Sequence, residues 1–250
     1  MDLSIFLTNL AEWLGVFAVA WLLSLAPQFR GAPVAFKYAR RDGLAALFLG
    51  AGALIFAAAF SSVGVGGFVD RLVQFPAPSG DLVHPLVLAV ISLLPFIAAL
   101  LTRGQPPLSA GWADKRLRIG LQAGLAAALL TIFLRNRVMD VLGGLKPGEI
   151  TYLGFALVIA LAEETIFRGY IQLRLGWWMG ETRGWIATSL LYALFRFPAY
   201  LAAGDLNHAL FGLAIALGQG LVAGWLMRRS GHVLTPALYR AASIWMNVFI

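Results

Sequence analysis

Apolar residues fill the chain in long runs, and the breaks between them are short, charged, or rich in proline and glycine. A helix needs about 20 apolar residues to cross a hydrocarbon core about 30 Å thick. Eight runs approach that length: roughly Ile5 to Ala26, Leu44 to Gly66, Leu86 to Leu101, Ile119 to Leu134, Ile150 to Phe167, Trp185 to Leu201, His208 to Met227 and Val233 to Ile250. The pattern predicts an all-α fold, a polytopic membrane helix bundle of about eight transmembrane helices. Several runs are short, so tilt, re-entrance or burial inside the bundle is expected of the later ones. The first run carries Glu12 and follows neither a basic stretch nor a small-residue cleavage site, so it reads as an anchor rather than a signal peptide.

Composition sharpens this picture. With 60% hydrophobic and 12% charged residues and a mean hydropathy of +0.80, a soluble globule is excluded. The net charge of +7 invites a nucleic-acid reading, but the charges sit in short clusters between apolar runs, so no nucleic acid is expected as a partner. The expected environment is the lipid bilayer. The absence of cysteine excludes disulfides, thiolate nucleophiles and Cys-ligated zinc.

Cytoplasmic loops keep the positive charge. With the N-terminus outside, the inside loops hold twelve basic residues: Arg30, Lys37, Arg40, Arg41, Arg103, Lys115, Arg116, Arg118, Arg174, Arg183, Arg228 and Arg229. The outside loops hold four, Arg71, Arg135, Arg137 and Lys146, of which the cluster from Arg135 runs against the rule. The count predicts an integral protein of the plasma (inner) membrane with both termini outside. The segments Phe68 to Pro85 and Arg103 to Arg118 read as plain connectors. Trp112, Trp177, Trp178 and Trp185 lie near helix ends, where an indole anchors at headgroup level.

An ionisable side chain at bilayer depth is costly unless paired or hydrated, so function is sought at the few such residues. They are Glu12, Glu163, Glu164, Arg168, Arg196 and Arg240. Glu12 stands alone and reads as a carboxylic acid held neutral or reaching a polar neighbour. Glu164 and Arg168 are i,i+4 neighbours suited to an ion pair. Glu163 is turned about 100° away from Glu164 and can face a different partner. Two carboxylates of separate facing suggest one structural and one chemical role, the latter as a general base on water.

The stretch Glu163-Glu164-Thr165-Ile166-Phe167-Arg168-Gly169-Tyr170 resembles the first motif of the CPBP family, the CAAX prenyl protease 2 and bacteriocin-processing (Abi) intramembrane proteases, whose pattern is Glu-Glu-x-x-x-Arg. The resemblance runs from about Ile150 to the C-terminus and takes in Leu190 to Pro198, Phe211 to Trp225, and Arg228 to His232 with Thr235-Pro236. It divides the chain into N-terminal transmembrane helices, residues 1–149, and a CPBP/Abi-like core, residues 150–250, in the same bundle. In that family the glutamates, a Phe-x-x-x-His motif and a His-x-x-x-Asn/Asp motif surround the attacking water. Here Tyr192 takes the place of the Phe and Arg196 that of the first His, while Arg240 and Ile244 fall where the second His and the Asn stand. Ser243 or Asn247 could still contribute a polar group.

Imidazole ligates metals and accepts protons, whereas a guanidinium only donates. No metal and no other cofactor is therefore expected, and His84, His208 and His232 read as interfacial residues. The resemblance implies a site of Glu163, Glu164, Arg168, Arg196 and Arg240 in which cations outnumber anions. Both glutamates should then stay ionised and be poor bases, giving a pseudoprotease that acts as subunit, assembly factor or scaffold of another integral membrane protein. Gly212, Gly218, Gly220 and Gly224 offer it either a helix-docking surface or internal packing. The alternative is an active intramembrane endopeptidase in which Glu163 activates water and Arg196 or Arg240 stabilises the oxyanion.

Overall fold

The structure, a computed structural model, describes residues 3–23, 25–26, 34–62 and 79–249. Each apolar run forms a helix: α1 (Leu3–Leu23), α2 (Ala39–Phe60), α3 (Val83–Thr102), α4 (Leu117–Leu134), the short α5 (Val138–Leu142), α6 (Pro147–Glu164), α7 (Leu173–Met179), α8 (Glu181–Ala203), α9 (Leu206–Ser230) and α10 (Leu234–Trp245). α6 and α7 are one rod, Pro147–Met179, joined through π-helical turns at Thr165–Gln172. Among the described residues there is no strand, and the protein is a polytopic helical membrane bundle.

The helices differ in length among the described residues. Six helices are long and apolar enough to cross a membrane, ending at Leu206–Ser230. The last run instead supplies the 12-residue α10, only about 18 Å long, whose residues are mostly buried inside the bundle. It lies between α4 and α6. Thr235 Oγ1 donates to Gly120 O at 3.1 Å near the start of α4, and Trp245 Nε1 donates to Glu149 O at 2.9 Å near the start of α6.

α4 shows the packing logic. Its small residues Gly120, Ala123, Gly124 and Ala127 face inward, while Leu117, Leu121, Leu125, Leu129 and Phe133, spaced by four, are exposed. In lipid, apolar exposure costs nothing, so small residues go to the helix contacts and large ones outward. A Cβ on Gly120 or Gly124 would press on His232 or Leu238 of α10. The four α9 glycines pack internally: Gly212 beneath Tyr200, Gly218 beneath Trp13, Gly224 beneath Trp185, and Gly220 beside Ser189 and Arg168. They offer no face to an outside helix.

Three readings of the connectors change. Residues 103–118 are not a plain link: Pro107–Ala110 forms a 3-10 turn lying against the π-helical segment, Gly111 (φ 80°) accepts a hydrogen bond from Val233 N at 3.0 Å, and Trp112 Nε1 donates to Thr165 Oγ1 at 3.2 Å. Arg174, counted as a loop cation, is fully buried in α7; it donates to Ser109 O, Tyr170 O and Gln105 Oε1 at 2.9, 3.0 and 2.5 Å. Arg135, counted as an outside charge, bonds Glu12 Oε2 at 2.5 Å. The remainder of the expected Phe68 to Pro85 loop through residue 78, together with Arg30 and Arg71, lies outside the described residues.

Candidate functional site

The site forms halfway along the α6–α7 rod, where the helix winds more loosely. Glu163 and Glu164 close α6, and Arg168 lies in the π-helical turns, a form of winding frequent at functional sites. From Glu163 each end of the 33-residue rod is about 24 Å away, which sets the acids at bilayer depth. Both carboxylates and the Arg168 guanidinium are buried.

The two acids share Arg240 but otherwise have different partners, in keeping with helix geometry. Glu164 Oε2 lies 3.3 Å from Arg168 Nε, one turn on, and its Oε1 lies 4.0 Å from Arg240 Nη1. Neither Glu164 oxygen accepts a hydrogen bond from the described residues. Glu163 faces α8 and α10: Arg196 Nη1 donates to Oε1 at 3.0 Å, Arg240 Nη2 donates to Oε2 at 3.1 Å, and the Tyr192 hydroxyl donates to Oε2 at 3.3 Å. Arg240 Nη1 in turn donates to the Tyr192 hydroxyl. Tyr192 also serves as a platform, with the guanidinium of Arg168 4.9 Å and that of Arg240 4.8 Å from its ring centroid. Arg168 Nη2 is fixed by Gly220 O of α9 at 3.2 Å. The structure thus brings Glu163, Glu164, Arg168, Arg196 and Arg240 together.

Chemically, Glu163 has an acceptor's environment. Two guanidinium groups and a phenol hold its oxygens, and charge-assisted bonds of this kind are strong. Oε2 holds two donors and Oε1 one, so the second lone pair of Oε1 is the position left to a water that displaces no partner. Arginine has no lone pair to offer a metal. Among the described residues no group of three or more His, Cys, Asp or Glu comes together to hold one. His84 lies tilted against Phe60 with centroids 4.5 Å apart, while His232 is buried beside Trp112, its Nδ1 accepting from Leu234 N at 3.1 Å. The interfacial reading of His232 is therefore corrected.

Ser243 and Asn247 do not join this site. They bond Arg135 instead, one turn and more beyond Arg240: Arg135 Nη2 donates to Ser243 Oγ at 3.1 Å, and Arg135 Nη1 donates to Asn247 Oδ1, in the turn after α10, at 2.9 Å. Glu12 belongs to this second polar cluster. The contribution most easily missed from sequence was Tyr192, although its place at the head of the second motif marked it.

Apolar helices here join an acid pair to arginines from three segments at bilayer depth. Residues 148–246 match the family described as Type II CAAX prenyl endopeptidase Rce1-like, which supports the resemblance of this part of the chain to the CPBP family. No curated protein and no solved structure matches the chain.

Proposed function

We propose that this CAAX-protease-like integral membrane protein is a pseudoprotease, acting as a non-catalytic subunit, assembly factor or scaffold for another integral membrane protein. The observation carrying this reading is the state of Glu163: both oxygens accept from arginines standing where the family has histidines. A general base must offer a bonding position to water and return a proton, and no imidazole is present to share that work. Its interior then serves cohesion, and its exterior serves contact. Its location is proposed to be the plasma (inner) membrane with both termini outside.

The test is a proteoliposome assay on a prenylated CAAX peptide and on a membrane-spanning substrate. Wild type and Glu163→Ala are expected to leave both intact; cleavage by wild type that disappears in the variant overturns the proposal and favours Glu163 as general base with an arginine on the oxyanion. Arg196→His combined with Arg240→His, reintroducing proton carriers, is the variant in which hydrolysis is expected to reappear. Purification in mild detergent should yield a second integral membrane protein; recovery of the chain alone at every salt concentration removes the scaffold role.

A further inference from the structure

Along the far end of the rod, about 14 to 24 Å beyond Glu163, lies a feature the proposed function does not use. A cavity of about 400 Å³ opens among the last turns of α7 and α9 and the first turn of α8. Its lining includes Gln172, Leu173, Trp177, Glu181, Met227 and Arg228. Gln172 is buried; its Nε2 donates to Gly224 O at 2.9 Å, and its Oε1 accepts nothing from the described residues. Leaving such an oxygen bare inside a protein costs free energy, so a donor belongs there. At the rim Glu181 Oε2 and Arg228 Nη2 stand 3.2 Å apart, and the Glu181 side chain remains 63% exposed.

The surroundings mark headgroup depth. The Arg228 guanidinium lies 5.3 Å from the Trp185 ring centroid, that of Arg229 lies 4.1 Å from the Trp225 centroid, and Trp177 Nε1 donates to Phe36 O at 3.0 Å. Arginine and tryptophan gather where hydrocarbon meets headgroups. A cavity at that depth meets lipid from one side and water from the other.

We propose that this cavity binds the headgroup of a phospholipid carrying a primary amine, of the phosphoethanolamine type. Its ammonium donates to Gln172 Oε1 and to the Glu181 carboxylate, while its phosphate takes the Arg228 guanidinium. A choline headgroup has no N–H for Gln172 and a glycerol headgroup brings no cation to Glu181, so neither satisfies both acceptors.

Purified full-length protein, stripped of lipid in mild detergent, is offered equimolar dioleoyl phosphatidylethanolamine, phosphatidylcholine and phosphatidylglycerol, and the adducts are counted by native mass spectrometry. Retention of the ethanolamine lipid is expected to exceed either other lipid by about tenfold. Glu181→Gln, at an exposed position that leaves the fold intact, is expected to abolish that preference and shift it toward phosphatidylglycerol, because Arg228 is then unopposed. Gln172→Leu should lower ethanolamine retention without that shift. Equal retention of all three lipids, a phosphatidylglycerol preference in wild type, or a preference indifferent to Glu181→Gln overturns the proposal. So does displacement of bound lipid by an equal concentration of glycerophosphoethanolamine, which would make the ligand a soluble metabolite.

Discussion

Glu163 is the residue on which the interior depends, since among the described residues it alone pairs with arginines from both α8 and α10. Glu163→Gln leaves two guanidinium groups facing an amide, and breaking a buried ion pair costs about 3–5 kcal/mol. A large fall in melting temperature is expected in detergent. Arg196→Gln should cost less, because the Arg196 side chain is 19% exposed and can draw on solvent or headgroups. If the charges are coupled, Glu163→Gln with Arg240→Gln will be less destabilised than the two single variants added together. His232 gives a second test. Burial drives its imidazole below the usual histidine value, with Asp114 pulling weakly the other way. The folded protein therefore resists protonation that the unfolded chain accepts. Stability should be level above about pH 6.5 and fall as pH drops below it. His232→Asn should flatten that decline in a melting series from pH 8 to 5; an unchanged slope assigns it to other groups.

At the scale of elements, the close contact of residues 103–118 with the π-helical turns rests on Gly169. A Cβ there would run into Ala110 O, so Gly169→Ala must push the loop away from Arg174 and Thr165. The expected cost is about 1–3 kcal/mol, with a shift in Trp112 fluorescence. Gly154, on the same rod, has nothing within 4 Å of its Cβ position, and Gly154→Ala should raise stability by up to about 1 kcal/mol through helix propensity. Equal effects at the two glycines would deny the loop its docking role. The contrast also shows what was legible in the sequence. Helix positions were, because a hydrocarbon core leaves a chain few ways to satisfy its backbone. The Glu164–Arg168 contact followed from i,i+4 spacing. The folded loop left no periodic trace, since its order comes from carbonyls meeting the Arg174 guanidinium, whose partners lie 65 residues or more away apart from Tyr170. Arg174 and Arg135 were read as loop charges because counting by loop assumes that a cation near a helix end reaches water; here each turns back into the bundle. Tyr192 was visible as a motif position, but nothing in its type announced a hydroxyl shared by Glu163 and Arg240.

For the whole molecule, these inward-turned arginines bear on the topology argument. The positive-inside rule concerns charges that face a membrane surface, and both exceptions from α4 to α5 are partnered: Arg135 by Glu12, Arg137 by Asp140 at 3.3 Å. On the side proposed as inside, Arg103 is likewise paired, with Asp42 at 3.2 Å, so pairing trims both sides and the proposed orientation rests on the count itself. The internal geometry accords with a shared side for the two termini. α1 meets Arg135 through Glu12 and, further along, stacks Phe17 on Trp225 with centroids 4.6 Å apart, so it runs from the Arg135 end of the bundle toward the Arg228 end. α10 makes the return journey, from Gly120 at its start to Arg135 and Glu149 at its finish. The chain has no cysteine, so single-cysteine labelling has no background. Lys146→Cys, exposed before α6, should react with a membrane-impermeant maleimide in intact cells, and Lys115→Cys, exposed before α4, only after permeabilisation. The opposite result would invert the protein in its membrane and move the Gln172 cavity to the outer leaflet. Labelling of both in intact cells would mean that α4 does not cross, which its outward row of leucines and 18-residue length argue against.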